Sequence, residues 1–144
     1  MLCIPHTLYH LVRHHGVKSW PNECCGILLG TRMKDVRTVL EVMHTENSHA
    51  TSPQNRYNIA PGGLIAAQKQ AREQGLEIVG FYHSHPDHPP QWSTTDLDEA
   101  HWDGCSYVIT SVEKEIAETT RSFVLRVTGE EKRFEEEAIQ IEYE

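Results

Sequence analysis

Apolar residues recur along the chain at two spacings, and the switches between them mark the elements. Leu8, Leu11, Val12 and His15 recur at helical spacing, predicting a helix over residues 5–17 with Gly16 as its stop. After a turn at Trp20-Pro21-Asn22, the apolar run of residues 25–31 predicts a strand, and residues 36–47, with Val36, Leu40 and Val42, predict another across a polar turn at 32–35. Pro61 opens a helix that Leu64, Ile65, Gln68, Ala71 and Arg72 continue until Gly75. Ile78, Val79, Phe81 and Tyr82 then form a β-branched and aromatic run, a strand that Pro86 closes because proline cannot donate to a ladder. Beyond it the pattern predicts a helix over 93–102, a strand over 105–112, a charged turn over 113–120 and a strand over 122–128. In residues 134–143, Ile139, Ile141 and Tyr143 alternate like a strand, although 135–140 has a helical alternative; the expectation is a final edge strand whose carboxylates discourage pairing with other chains. Residues 48–58, rich in Ser, Asn, Pro and Gln, read as a loop, either facing a substrate or plain surface. Strands and helices mix without strict alternation. The fold class is therefore α+β, a three-layer arrangement around one mixed sheet.

Composition narrows the function. A length of 144 residues suits one domain able to bury its own core. A net charge of −8 with scattered Lys and Arg argues against a nucleic-acid partner held through phosphates. The first residues lack a basic start followed by an unbroken apolar run, and no stretch approaches the roughly 18 apolar residues of a membrane span, so the expectation is a cytoplasmic chain without membrane contact. Cys3, Cys24, Cys25 and Cys105 show no Cys-x-x-Cys spacing, which removes the signature of a structural zinc site and leaves reduced thiols. Cys105 is expected in a buried strand. Cys25 shares the parity of Glu23 and so approaches any site there, but core packing is its plainer role.

The candidate chemistry sits where the Ile78 strand ends. Side chains alternate along a strand, so His83 and His85 project from one face and Ser84 from the other. Two imidazoles fixed this way make a two-point clamp for a metal, and Asp96, 11 residues past His85, is the candidate third ligand. Asp96 has a second reading, because Ser93-Thr94-Thr95-Asp96 has the form of a capping box that opens a helix. Two nitrogens and a carboxylate oxygen suit Zn²⁺ and leave a fourth position open, the pattern of a catalytic site, where zinc brings the pKa of its water to about 7.

The stretch His83-Ser84-His85-Pro86, six residues, then Ser93-x-x-Asp96, with an isolated Glu23 some 60 residues upstream in Asn-Glu-Cys-Cys-Gly, resembles the signature of the JAMM (MPN+) zinc metalloprotease family. The likeness runs through most of the chain. It implies a curved β-sheet flanked by helices, similar in layout to cytidine deaminases, and one zinc per chain held by His83, His85 and Asp96. It further implies that Glu23 is the general acid/base and that Ser93 helps stabilise the developing oxyanion, where helix capping is the plainer role. Trp92 departs from the proline that small bacterial members often carry there, which bears on substrate contacts rather than on the metal. His88, in the ligand loop, has solvated loop residue as its default reading.

With 48 residues after Asp96 there is little space for the insertions of eukaryotic members. The chain is similar to the small bacterial and archaeal branch, which implies hydrolysis after the C-terminal Gly-Gly of a ubiquitin-like (β-grasp) sulfur-carrier protein as substrate partner. The alternative is a non-catalytic MPN protein-interaction module, although such modules generally lack one or more of these ligands. A zinc deaminase is disfavoured because His83-Ser84-His85 carries no Glu and Cys24-Cys25 lacks the Pro-Cys-x-x-Cys spacing.

Overall fold

The computed structural model describes residues 1–49 and 57–143. In chain order the elements are β1 (Leu2–Pro5), α1 (His6–Ser19), β2 (Cys25–Met33), β3 (Val36–Thr45), α2 (Pro61–Gln74), β4 (Glu77–Pro86), α3 (Thr94–Glu99), β5 (Ser106–Glu113), β6 (Ile116–Thr128), β7 (Glu131–Glu137) and β8 (Ile139–Glu142). All eight strands join one mixed sheet in the order β7-β6-β5-β4-β2-β3-β1-β8. On one face Val12 of α1 packs with Leu28, Val39, Val79 and Tyr82. On the other, Ala67 and Ala71 of α2 pack with Ile27, Phe81, Tyr107 and Leu125. This is the expected α+β, three-layer fold, with the sheet as the middle layer.

The sheet is strongly curled. β7 and β8 lie at opposite ends of the strand order, yet only Ala138 separates them in the chain. The Leu2 amide donates to the Ala138 carbonyl at 3.0 Å, which draws the β1 side to that junction. Arg37 of β3 closes the curl from within: it is 1% exposed and donates to Ser106 Oγ of β5 at 2.8 Å and to Glu137 Oε1 at the end of β7 at 2.7 Å. Ser106 and Ser122 donate to the other oxygen of Glu137 at 2.6 and 2.7 Å. A buried guanidinium and carboxylate are thus paired and hydrogen-bonded, the condition under which buried charge is tolerated.

Several elements differ from the sequence expectation. Leu2 to Ile4, buried, form a strand paired in parallel with both β3 and β8, so α1 starts at His6. Helix α1 runs through Gly16 to Ser19. A Cβ at Gly16 would stand 3.0 Å from Val112 Cγ2 and 3.2 Å from Ser84 Cβ, so this glycine serves close helix–sheet approach and does not stop the helix. The charged turn expected over 113–120 shrinks to residues 114–115, with Lys114 at φ 54°, and β6 begins at Ile116. The C-terminal segment holds two strands instead of one, and α3 ends at Glu99. Among the described residues no helix is long and apolar enough to cross a membrane.

Candidate metal centre

β4 carries Phe81, His83 and His85 on one face because alternate side chains share a face. Ser84, on the opposite face, is fully buried and does structural work. Its Oγ accepts a hydrogen bond from the Cys24 amide at 2.8 Å, while its own amide donates to the Cys24 carbonyl at 3.2 Å. In the antiparallel β2–β4 pairing Cys25 lies opposite His83, and two residues earlier Glu23 falls level with His85. Asn47, just past β3, donates to the Glu23 carbonyl at 3.1 Å and fixes this backbone from the other side.

His83 Nε2 stands 3.1 Å from His85 Nε2 and 3.3 Å from Asp96 Oδ1, and His85 Nε2 stands 3.2 Å from Asp96 Oδ2. Tetrahedral ligands at ~2.0–2.1 Å from an ion stand about 3.3 Å apart, so each imidazole stands from the other, and from one Asp96 oxygen, at the spacing of two corners of such a shell. Among the described residues it is the one group of three His, Cys, Asp or Glu side chains whose ligand atoms converge within 4.8 Å. His85 Nδ1 lies 2.9 Å from the Pro89 carbonyl and must donate to it, which leaves the Nε2 lone pair facing the triangle. His83 Nδ1 is buried without a partner among the described residues.

Asp96 closes a capping box and also faces both histidines. The Asp96 amide donates to Ser93 Oγ at 3.0 Å and the Ser93 amide donates to Asp96 Oδ2 at 2.9 Å, a complete capping box at the start of α3. The box holds the carboxylate in position to face both histidines. Burial pushes the Asp96 carboxyl up, but the two imidazoles and the Ser93 N–H outweigh it and hold the group well below the usual carboxylate range. Burial pushes His83 down. It pushes His85 down as well, but Asp96 and the Pro89 carbonyl reverse the direction and raise it.

Glu23 is 6% exposed, and its Oε1 is buried without a partner among the described residues. Burial raises its carboxyl to about 8, with His85 opposing and Asp96 adding to the rise. Ser93 uses its oxygen as the helix cap and keeps its own proton available. The arrangement therefore offers three convergent donors for a cation, with a neutralisable carboxyl beside them.

Tyr57 is a site residue that the sequence reading passed over. Its ring stacks on His83 at 4.4 Å, and burial raises its hydroxyl pKa, with Asp96 adding to the rise. The available signal was a lone aromatic in an otherwise polar loop. The stems of that loop meet where Ser48 donates to the Asn58 carbonyl and the Asn58 amide donates to Asn47 Oδ1 at 3.1 Å; residues 50–56 lie outside the described residues. Cys25 is fully buried against Thr45 Oγ1 at 3.3 Å, and burial pushes its thiol up to about 11, in line with core packing. His15 Nδ1 lies 2.7 Å from the Tyr82 hydroxyl and its ring stacks on His44 at 4.2 Å. Burial brings His15 down to about 4, with His44 and Lys18 adding to the shift. His88 is exposed, with its carbonyl accepting from Ser111 Oγ at 2.7 Å. Trp92 packs on Phe134 at 5.6 Å and anchors the lip before α3 to β7.

With fold and donor set in view, the chain belongs to the prokaryotic homologs of the JAB domain, whose family profile matches residues 5–126. It is 37% identical over 91 residues to a desampylase of Haloferax volcanii, covering 63% of each chain. It is 33% identical over 102 residues to a probable TtuB-protein conjugate cleaving protease of Thermus thermophilus, covering 71% of this chain and 65% of that protein. The matched stretch thus spans a little under two-thirds of these relatives. In structure the chain is similar to a JAB1/MPN domain protein from Archaeoglobus fulgidus, with a TM-score of 0.62 at 16% identity over 99% of this chain and 98% of that one.

Proposed function

We propose that this chain is a zinc-dependent peptidase that hydrolyses the bond after the C-terminal Gly-Gly of a small ubiquitin-like sulfur-carrier protein. The observation that carries the reading is the donor cluster of His83, His85 and Asp96, whose facing atoms stand 3.1 to 3.3 Å apart, beside a buried Glu23 Oε1 that has no partner among the described residues. These residues fit the zinc implied by the family: nitrogen, nitrogen and carboxylate oxygen, with one tetrahedral corner left for water or substrate. Bound there, zinc would polarise the scissile carbonyl and make water acidic enough to attack near neutrality.

The chain's own residues supply the rest. In its ionised form, which a cation bound beside it would favour, Glu23 takes a proton from the attacking water on Oε1 and delivers it to the leaving amine. The Ser93 hydroxyl, held at the head of α3, offers its proton to the oxygen of the carbonyl under attack. Asp96 and the Pro89 carbonyl fix the imidazoles, and Tyr57 covers the His83 ring from solvent. The names of the two curated relatives support cleavage of ubiquitin-like protein conjugates as the substrate class. Gly-Gly suits a narrow approach, since glycine lets a backbone come close where a Cβ would clash.

The test is intact mass spectrometry of Gly-Gly-extended carriers incubated with zinc-loaded protein. The expected result is a product ending at Gly-Gly, absent with Glu23→Gln and with chelator. If no extended carrier is cut, the chain acts instead as an interaction module of the same fold.

A further inference from the structure

Beside the donor triangle lies a cavity of about 390 Å³ that the proposed chemistry leaves unused. Its floor is Phe81, on the same face of β4 as His83 and two residues before it, hence ~7 Å along the strand. Trp102 meets Phe81 edge-on at 5.5 Å and Tyr107 stacks on it at 5.4 Å. Ile59 and Leu64 close the remaining apolar wall. The partition is Tyr57, which lines the cavity and also stacks on His83, so cavity and metal centre share one continuous surface. Glu99 and His101 supply its polar lining. The volume is at the small end of the range for ligand pockets. It suits one bulky side chain rather than a cofactor.

The position of Glu23 fixes which side of the scissile bond the cavity serves. A general acid must reach the nitrogen it protonates. Glu23 is level with His85 in the β2–β4 register, whereas the cavity is level with Phe81, on the opposite side of His83. The leaving amine therefore lies toward Glu23 and the acyl part of the substrate toward the cavity. Glycines directly before the bond have no side chain to offer. At ~3.3 Å per extended residue, the side chain that reaches past Tyr57 belongs to a residue three or four positions before the bond.

We propose that this cavity is an acyl-side specificity pocket, taking a bulky apolar or aromatic side chain from the one or two residues that precede Gly-Gly in the substrate tail. The proposal rests on the peptidase reading and names what that reading leaves open, the residues that select one tail over another. Phe81, Trp102, Tyr107, Leu64 and Ile59 make the contact, and Tyr57 aligns the tail against His83.

The test uses zinc-loaded protein and peptides that share one leaving group and differ only in the two residues before Gly-Gly: Leu-Leu, Ala-Ala or Asp-Asp. The expected kcat/KM is at least about tenfold higher for Leu-Leu than for Ala-Ala, with Asp-Asp lower still. Leu64→Trp, which fills the cavity, brings the Leu-Leu to Ala-Ala ratio to within about twofold at unchanged metal content. Separately, a product peptide ending Leu-Leu-Gly-Gly shifts the Trp102 indole N–H resonance of the Glu23→Gln protein, and its Asp-Asp counterpart does not. Equal kcat/KM for all three peptides overturns the pocket, as does a preference that survives Leu64→Trp; Glu23-dependent cleavage would still uphold the peptidase. Should no peptide be cut, the peptidase reading falls, and an unmoved Trp102 resonance then overturns the pocket on its own.

Discussion

The Ser84 hydroxyl accepts a 2.8 Å hydrogen bond from the amide of Cys24, a residue 60 positions away in the chain. Between His83 and His85 on one side and Glu23 on the other, it couples β4 to the proposed acid/base. Ser84→Ala leaves the buried Cys24 N–H without its partner, at a cost of about 1–3 kcal/mol of stability. The donor triangle stays intact, so metal content holds while the turnover of a Gly-Gly substrate drops about tenfold to a hundredfold through misplacement of Glu23. Metal analysis beside kcat checks this. Metal lost together with activity would place Ser84 under the ligands instead.

Ser93 caps α3 and is the proposed donor to the oxyanion, and substitution separates the two. Ser93→Ala removes the N-cap of α3, costing about 1 kcal/mol, and removes the hydroxyl offered to the oxyanion, costing about a hundredfold or more in kcat. Ser93→Asn restores a capping oxygen without that hydroxyl. The expectation is recovery of thermal stability in Ser93→Asn with kcat still low. Recovery of both would reduce Ser93 to a helix cap.

Glu137 gives the fold an acid-sensitive clasp. Burial pushes its carboxyl up, but hydrogen bonds from Ser106, Arg37 and Ser122 outweigh that and hold it below its ordinary value of 4.5. A depressed carboxylate stabilises the folded state above its unfolded pKa and loses that contribution as pH falls through the folded one. Wild-type stability therefore declines from about pH 5 downward, and Glu137→Gln, weaker near neutrality, loses less over the same interval. Glu137→Ala removes the carboxylate at Arg37 Nη2 while Asp35 stays at 3.2 Å from Nη1, and costs about 1–3 kcal/mol at neutral pH. Denaturant unfolding at a series of pH values measures both, and parallel pH profiles for wild type and Glu137→Gln would remove Glu137 from the clasp.

The cluster of His83, His85 and Asp96 was readable because each member rests on local rules. Strand alternation places His83 beside His85, and a capping box places Asp96 at the third turn position of α3. Elements whose pairing is distant in sequence were not readable. β1 is four residues long and gains its identity only between β3 and β8. The division of the acidic C-terminal segment at Ala138 reflects closure of the curl through Arg37 and Glu137, contacts 100 residues apart that no periodicity encodes. Gly16 reads as a helix stop in sequence but accommodates Val112 and Ser84 in the fold. Tyr57 escaped for a similar reason: its stacking partner His83 belongs to a strand on the far side of α2 in the chain.

The most direct test of the account is the bound-metal content of purified untagged protein, wild type beside His83→Ala, Asp96→Ala and Glu23→Gln. The expected result is about one zinc per chain in wild type and Glu23→Gln, and none in the two ligand variants. A wild type that holds no metal after zinc reconstitution, or ligand variants that retain it, would contradict a metal centre built on His83, His85 and Asp96.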